Sequence, residues 1–211
     1  MLPRCALVLT LLSSVAGHTL AEESQDAAAC LDALDVLEVK YKRIRRRGID
    51  VAVAVRGPIG GVEFQGYAAK PLVLDCSLVY SLAQSGRFFA AHGITKVRYS
   101  SAYERRHIRG TKRLSRHSYG LAIDIHTFRG DSIGSATVRD DYEQGLGDSV
   151  DCIGRPLTQH GYVLRTLDCQ LSRSGLFRVV LTPDYDADHY NHFHVESLPW
   201  ASRDNQQPDD S

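Results

Sequence analysis

The sequence predicts an α+β fold built on an antiparallel sheet with flanking helices. Segments with strand-like composition and segments with helical spacing of apolar residues are mixed along the chain without a regular order. A doubly wound parallel sheet requires strands and helices to alternate, so that class is not favoured. About 190 of the 211 residues remain once a leader is set aside, enough for one hydrophobic core and not comfortably for two.

Residues 1–21 have the layout of a signal peptide. Arg4 supplies the positive start, an apolar run follows, and small residues allow cleavage after Ala16 or Ala21. The run is too short to span a bilayer, and no later segment is long and apolar enough to do so. We therefore expect a secreted or periplasmic protein without stable membrane insertion, whose mature chain begins with a short tail over residues 22–29.

The first half of the mature chain predicts two helices and three strands. Apolar residues recur at helical spacing over residues 28–38 and 77–92, and Gly93 is a stop signal for the second helix. The composition of three further segments is typical of strands: 50–55, 62–67 and 95–103.

The second half predicts three strands, one helix and two irregular segments. The strands are expected over 121–128, 177–181 and 192–196, and the helix over about 155–170. Residues 129–150 are polar and glycine-rich without a clear period, which indicates a long loop. The polar residues 199–211 predict a disordered tail.

Charge is balanced over the chain but concentrated at one place. Without Arg4 the chain has 24 basic and 25 acidic residues, a formal net charge of −1, which gives no reason to expect nucleic acid as a partner. Residues 40–47, K-Y-K-R-I-R-R-R, have six positive charges in eight positions. A solvated face is the favoured interpretation of this basic run, and a patch for anionic wall polymers is the alternative.

Four cysteines follow the leader, at Cys30, Cys76, Cys152 and Cys169. An even set in an exported chain predicts two disulfides. Three connectivities are possible, and the local loops favour pairing Cys30 with Cys76 and Cys152 with Cys169. A cysteine-ligated metal site is not favoured, because no two cysteines have the short C-x2–4-C spacing of such sites.

Five of the nine histidines lie in two short segments that also contain acidic residues, S-R-H-S-Y-G-L-A-I-D-I-H and D-A-D-H-Y-N-H-F-H. Asp124 interrupts an apolar strand, where a carboxylate is costly unless it has a strong partner such as a metal. His192 and His194 lie two apart on a strand and therefore share a face. Gly120 permits a bend that would bring His117 over the same face.

Two neutral imidazoles and one carboxylate would leave a fourth tetrahedral position open for water. Mixed nitrogen and oxygen donors suit zinc better than calcium or magnesium, although ligand type alone leaves a redox metal open. Zinc ligated in this way lowers the pKa of bound water and polarises a carbonyl. The pattern therefore predicts one zinc ion and hydrolytic chemistry.

The first segment resembles the S-x-H-x-x-G-x-A-x-D signature of D-Ala-D-Ala peptidases, murein endopeptidases and hedgehog domains, and the second resembles their closing H-x-H motif. The spacing of the two motifs, the Cys30/Cys76 pair and the approach V-L-T-P-D-Y-D-A-D-H are similar, more narrowly, to the extensin-like C-terminal family. The resemblance covers roughly residues 30–198. It implies the fold of the lysostaphin, D-Ala-D-Ala metallopeptidase and hedgehog superfamily, with the zinc site on one sheet face.

The resemblance also assigns roles. His117, Asp124 and His194 match the zinc ligands of these enzymes. His192 matches a histidine that activates water or stabilises the oxyanion, and it is the first choice for the general base. His189 lies where murein endopeptidases have a further histidine, whereas the dipeptidase branch uses a glutamate that this chain lacks.

Supporting roles are implied for neighbouring residues. Asp188 is the acid nearest to His189 and would orient it. Arg106 matches an arginine that contacts substrate or oxyanion, but Arg105 replaces the family's cysteine in that motif, so either arginine could point inward. Ser115, the leading serine of the first motif, would support the site by hydrogen bonding.

Three other histidines have weaker claims. His126 shares a face with Asp124 and could be a further ligand, though a supporting or exposed position is favoured, and His107 and His160 are expected at the surface. The H-E-x-x-H motif of other metallopeptidases is absent from the sequence. The resemblance implies a monomeric zinc peptidase acting on stem peptides of peptidoglycan. The alternative is a zinc-containing cell-wall binding module without hydrolytic activity.

Overall fold

The computed structural model of the protein describes residues 20–147, 152 and 154–203, which form two β-sheets, five α-helices and three 3-10 turns. This is an α+β architecture, as predicted. Most of the expected leader (1–19) and residues 204–211 of the expected tail lie outside these residues. The helices are α1 (Leu20–Val36), α2 (Cys76–Gln84), α3 (Gly86–Ala91), α4 (Val138–Asp141) and α5 (Gln159–Arg173).

The strands are β1 (Tyr41–Arg43), β2 (Ala52–Val55), β3 (Glu63–Gly66), β4 (Val73–Asp75), β5 (Lys96–Ser101), β6 (Ala122–Gly130), β7 (Gly134–Thr137), β8 (Val179–Leu181) and β9 (Phe193–Glu196). No helix within the described ranges is both long enough and apolar enough to cross a membrane.

The smaller sheet is antiparallel, with strand order β1-β2-β4. Strands β1 and β4 were not predicted: β1 lies in the basic run at residues 40–47, and the three residues of β4 show no alternation of apolar and polar side chains. The Cys30–Cys76 disulfide joins α1 to the start of α2 behind this sheet. Asp75 caps α2, since its side chain accepts a hydrogen bond from the backbone N–H of Ser77.

The larger sheet has the strand order β3-β5-β6-β9-β8. Strand β7 pairs with the second half of β6, on the same edge as β9, and β5 pairs with the other edge. The β3–β5 pair is parallel, whereas an antiparallel sheet was predicted; the other strand pairs described in both sheets are antiparallel. A parallel pair needs a long crossover connection. Here the crossover consists of β4, α2 and α3.

The hydrophobic core lies between the larger sheet and the helices. Phe128 of β6 stacks on Phe89 of α3 and packs against Phe193 of β9. Strand alternation buries Ile123 and Ile125 in this core, so the residue between them projects from the opposite face.

One predicted helix is divided in two. Residues 77–92 were expected to form a single helix, but α2 ends at Gln84 and α3 begins at Gly86. At the break the backbone of Gly60 packs directly on Gly86, and a Cβ on Gly86 would collide with it. The Ser85 hydroxyl donates a hydrogen bond to the carbonyl of Leu82, which satisfies an acceptor at the break.

The predicted loop over residues 129–150 is wrong in its first half. The strand β6 continues to Gly130, a turn with Gly134 at φ +67° reverses the chain, and β7 and α4 follow. Ala136 and Val138 are buried, so tertiary packing stabilises β7 and α4. Both elements are too short to show a period in the sequence. Residues 148–150 lie outside the described residues.

Both predicted tails are more ordered than expected where the structure describes them. Helix α1 runs through residues 22–29, a segment rich in alanine and glutamate, which favour helix. At the other end, Trp200 begins a 3-10 turn and packs edge-on against Tyr80, with ring centroids 5.1 Å apart. Arg203 donates a hydrogen bond of 2.9 Å to the carbonyl of Ser77. The prediction of a disordered tail is therefore wrong for residues 199–203.

Candidate metal centre and active site

The two motif strands lie side by side at the centre of the larger sheet. Strands β6 and β9 pair antiparallel, with Asp124 directly opposite His194. Residues opposite each other on adjacent strands share a face, and this face is the one turned away from the core. Asp124 and His194 are buried there, at 5% and 8% exposure.

A 3-10 turn, Arg116–Tyr119, brings His117 onto the same face. Ser115 caps the turn, and its hydroxyl accepts a hydrogen bond of 3.4 Å from the backbone N–H of His117, which agrees with its expected supporting role. The turn ends at Gly120, whose φ is +66°. A Cβ at Gly120 would lie 2.7 Å from the backbone nitrogen of Asp75, so glycine is required by both conformation and space.

Three ligand atoms converge at this point. Asp124 Oδ1 lies 2.7 Å from His194 Nδ1 and 3.2 Å from His117 Nε2, and the two nitrogens are 3.3 Å apart. Donors about 2.0–2.1 Å from a tetrahedral zinc ion lie roughly 3.3 Å from one another. The spacing, the burial and the mixed imidazole and carboxylate chemistry all fit a divalent metal ion.

Each of the two imidazoles has its outer nitrogen held by an acceptor. His117 Nδ1 donates to the carbonyl oxygen of Ala102 at 2.8 Å, and His194 Nε2 donates to Glu196 Oε1 at 3.0 Å. Arg178 in turn donates to Glu196 at 2.8 Å. An acceptor on the outer nitrogen fixes the proton there and directs the other nitrogen at the metal position.

The charges in this group are strongly coupled. Burial would raise the pKa of Asp124, but hydrogen bonds and charge attraction from His117 and His194 outweigh it and hold that pKa far below its usual range. Burial would likewise lower the pKa of His194, yet its contacts with Asp124 and Glu196 raise it to about 9. Without a metal, a proton on His194 Nδ1 therefore points at Asp124, and a cation has to displace it.

His192 lies beside the three ligands. Its Nε2 is 3.5 Å from Asp124 Oδ1, and its Nδ1 is 2.9 Å from the side-chain oxygen of Asn191. Burial, with the neighbouring histidines, lowers the pKa of His192 to about 4, although the charge of Asp124 acts in the opposite direction. The imidazole is therefore neutral at neutral pH and can accept a proton through Nε2.

His189 also reaches this group, since its ring centroid is 5.2 Å from that of His192 and 5.7 Å from that of His194. The residue that orients it is Asp186, whose Oδ1 lies 2.6 Å from His189 Nδ1, and not Asp188 as predicted. Asp186 caps a 3-10 turn, Ala187–His189, and so faces the residue three positions later. Asp188 projects outward and pairs with Arg109 at 2.8 Å.

Arg106, rather than Arg105, reaches the metal ligands. Its Nη2 lies 3.5 Å from Asp124 Oδ2, and its Nε lies 3.5 Å from Glu104. Ser118 fixes the Arg106 backbone, because its hydroxyl accepts from the Arg106 N–H at 2.9 Å and donates to the Arg106 carbonyl at 2.8 Å. Arg105 is exposed.

His126 is not one of the converging ligands. The pairing of β5 with β6 is irregular on both sides of Tyr99, leaving Ser100 and His126 without partners in the register. Their side chains bond to each other at 2.7 Å, and the His126 ring lies 5.2 Å from that of His192. His126 therefore lies next to His192 and outside the candidate ligand set.

Sequence reasoning missed Glu196, Asp186 and the carbonyl of Ala102. Glu196 could have been found, since it lies two residues after His194 and strand alternation places it on the same face. Asp186 could have been found from its i, i+3 spacing to His189 in a turn. A backbone carbonyl gives no signal in a sequence.

Two groups of three residues in the described part of the chain are close enough to hold a metal ion. One is His117, Asp124 and His194, with every member buried, and the other is His189, His192 and His194. They share His194, and only the first contains a carboxylate. The first is therefore the better candidate for a resident divalent cation.

The disulfides Cys30–Cys76 and Cys152–Cys169 are both formed, which confirms the predicted pairing. No curated protein and no solved structure matches the chain. The family model described as extensin-like protein C-terminus matches residues 28–204, which is most of the chain. The protein therefore belongs to the extensin-like protein C-terminus family.

Proposed function

We propose that this protein is a zinc-dependent hydrolase of peptide (amide) bonds, and that its substrates are the stem peptides of peptidoglycan. The observation that carries the proposal is the convergence of His117 Nε2, His194 Nδ1 and Asp124 Oδ1 within 3.3 Å, beside a neutral imidazole. Zinc bound by these three residues supplies Lewis-acid activation of a water molecule and of the scissile carbonyl.

His192 is the general base in this proposal. Its Nδ1 is held by Asn191, so its Nε2 is free to take a proton from the attacking water and to return it to the leaving amine. A pKa of about 4 keeps the imidazole unprotonated under ordinary conditions. Such a base has a modest driving force for proton abstraction, and the negative charge of Asp124, 3.5 Å from Nε2, favours the imidazolium that forms.

Two cationic or hydrogen-bonding groups are available for the negative charge that develops on the carbonyl oxygen. Arg106 places a guanidinium 3.5 Å from Asp124. Asp186 accepts from His189 Nδ1, so His189 Nε2 can donate to the oxyanion only when the ring carries a proton on both nitrogens. Arg106 is the stronger choice, because its positive charge does not depend on pH.

The substrate and the compartment are inferred together. The motif resemblance to murein endopeptidases and D-Ala-D-Ala peptidases supports a peptidoglycan peptide and a place in their superfamily. The leader-like residues 1–21 support export, and two disulfides are compatible with an oxidising compartment. We infer a secreted or periplasmic enzyme.

The test is to incubate the zinc-loaded protein with purified peptidoglycan and to quantify new amine ends and released fragments. His192→Ala should lower the release by at least about 100-fold, as expected for loss of a general base. His107→Ala is the matched control, because His107 is exposed. It should leave the release unchanged.

Two results would contradict the peptidase proposal. One is the absence of new amine ends with the zinc-loaded wild type, and the other is equal release by His192→Ala. Retained binding to peptidoglycan without release would instead support the alternative, a zinc-containing cell-wall binding module without hydrolytic activity.

A further inference from the structure

A cleft of about 530 Å³ opens beside the metal ligands. One wall is the end of β5 and the segment after it, and the other is the segment at residues 66–73 between the two sheets. Arg46, from the basic run at residues 40–47, and Lys70 also line it. The cleft therefore brings two cations from separate parts of the chain to one cavity.

These cations have no carboxylate partner. No ion pair within 4.0 Å involves Arg46 or Lys70, or any other cation of the basic run, among the residues that the structure describes. Glu104 also lines the cleft, but its carboxylate accepts from Ser101 at 3.2 Å and pairs with Arg106. No carboxylate of the described residues therefore neutralises Arg46 or Lys70 at the cleft.

Tyr99 supplies an unused hydrogen-bonding group. Its side chain is only 7% exposed and lines the cleft, and its hydroxyl has no hydrogen-bond partner among the described residues. The hydroxyl oxygen is not one of the fully buried unpaired polar atoms of the described residues, so it faces accessible space and is available to a ligand. With Arg46 and Lys70, it offers the donors that a carboxylate requires.

The cleft lies behind the candidate active site. Ser101 and Ala102 line it, and they contact His117 Nδ1, the nitrogen turned away from the candidate metal position, at 3.3 and 2.8 Å. Glu104 also lines the cleft and pairs with Arg106, which reaches Asp124. The Glu104–Arg106 pair therefore lies between the two places, and a peptide that occupied both would run past it.

We propose that this cleft binds a carboxylate of an acidic peptide, through Arg46, Lys70 and the hydroxyl of Tyr99. This inference rests on the proposed function, because the peptide is taken to be the substrate. It assigns a specificity to that function: peptides with a free carboxylate bind, and their amidated counterparts bind weakly.

The test measures binding by calorimetry on the zinc-loaded protein carrying His192→Ala, which prevents cleavage during the measurement. The probes are acetyl-Ala-Glu-Ala-Ala with free carboxylates and acetyl-Ala-Gln-Ala-Ala-amide. The double variant Arg46→Gln/Lys70→Gln should weaken binding of the acidic peptide roughly tenfold and leave the neutral peptide unaffected. Tyr99→Phe, which removes only the hydroxyl, should weaken it by about threefold.

Lys42→Gln/Arg43→Gln is the matched control, since both residues belong to the same basic run, are exposed, and do not line the cleft. An equal loss in this control, or an equal loss for the neutral peptide, would overturn the inference, because either result indicates a general charge effect. If the tenfold pattern holds while peptidoglycan releases no new amine ends, the cleft binds carboxylates and only the hydrolytic proposal fails.

Discussion

Single contacts decide which nitrogen of His117 and of His194 faces the candidate metal position. Glu196 holds the Nε2 proton of His194, and the backbone carbonyl of Ala102 holds the Nδ1 proton of His117. The two histidines therefore use different nitrogens, Nδ1 and Nε2, toward one point. A change at Glu196 should act on the metal although this residue is not a ligand.

We predict that Glu196→Gln weakens zinc affinity by about 10–100-fold, the usual effect of removing a carboxylate behind a ligating histidine. A zinc competition titration against a chelator measures it. Glu63→Gln is the control. Glu63 lies on the edge strand β3 and also forms an ion pair, with Lys96 of β5. Equal affinities for the two variants would show that Glu196 does not support His194.

At the scale of elements, the site depends on a short turn and not only on the two strands. The turn Arg116–Tyr119 ends in a left-handed glycine that packs on Asp75 of β4 and on Ile49, which lies between β1 and β2 of the smaller sheet. The position of His117 is thereby tied to both sheets.

We expect Gly120→Ala to destabilise the protein by more than Gly134→Ala, with a difference of about 1 kcal/mol or more in the free energy of unfolding. Both glycines have nearly the same positive φ, +66° and +67°, but only a Cβ at Gly120 meets other atoms within 3.0 Å. Denaturant unfolding of the two variants measures the difference. Equal losses would mean that the backbone of Asp75 yields to the added methyl group.

Helix α5 is attached to the β6–β7 hairpin through a histidine that was expected at the surface. His160 lies 2.8 Å from the carbonyl oxygen of Ile133 and 3.2 Å from Asp141. The hydrogen bond to Ile133 and then the contact with Asp141 raise the pKa of His160. The protonated form therefore favours the folded state. Its stabilising effect is complete below the unfolded pKa near 6.5 and is lost as pH rises through the folded value.

We predict that the wild type has a higher melting temperature than His160→Gln. The difference in melting temperature should be larger at pH 5.5 than at pH 8. Thermal melts of both proteins across this range measure the difference. His107→Gln is the control, because the exposed His107 has no side-chain hydrogen bond among the described residues. The same pH dependence in that variant would contradict the assignment to His160.

At the scale of the whole molecule, the sequence predicted those features that depend on alternation along a strand. The outward position of Asp124 between Ile123 and Ile125, and the common face of His192 and His194, follow from a period of two along each strand. The parallel β3–β5 pair, the strands β1 and β4, and the partner of His189 depend on contacts between distant segments. The spacing of residues along the sequence does not reveal such contacts. For this reason the prediction that Asp188 orients His189 was wrong.

Two disulfides fasten the molecule at opposite ends of the chain. Cys30 and Cys76 enclose a separation of 46 residues, and Cys152 and Cys169 one of 17. Chain-entropy reasoning gives about 4 kcal/mol for the longer loop and about 3 kcal/mol for the shorter. We expect Cys30→Ala/Cys76→Ala to lower the free energy of unfolding more than Cys152→Ala/Cys169→Ala, and denaturant titration decides it. A larger loss in the second variant would contradict this order.

Strand β9 lies between β6 and β8, and this position sets the order of synthesis, folding and metal binding. A nascent polypeptide that ends before residue 193 contains His117 and Asp124 but lacks the third ligand and the strand that holds it. The three candidate ligands can therefore come together only after this last strand has paired with β6. A protein that binds zinc as proposed would then take up the ion in the compartment where it folds, and not from the surroundings of the ribosome.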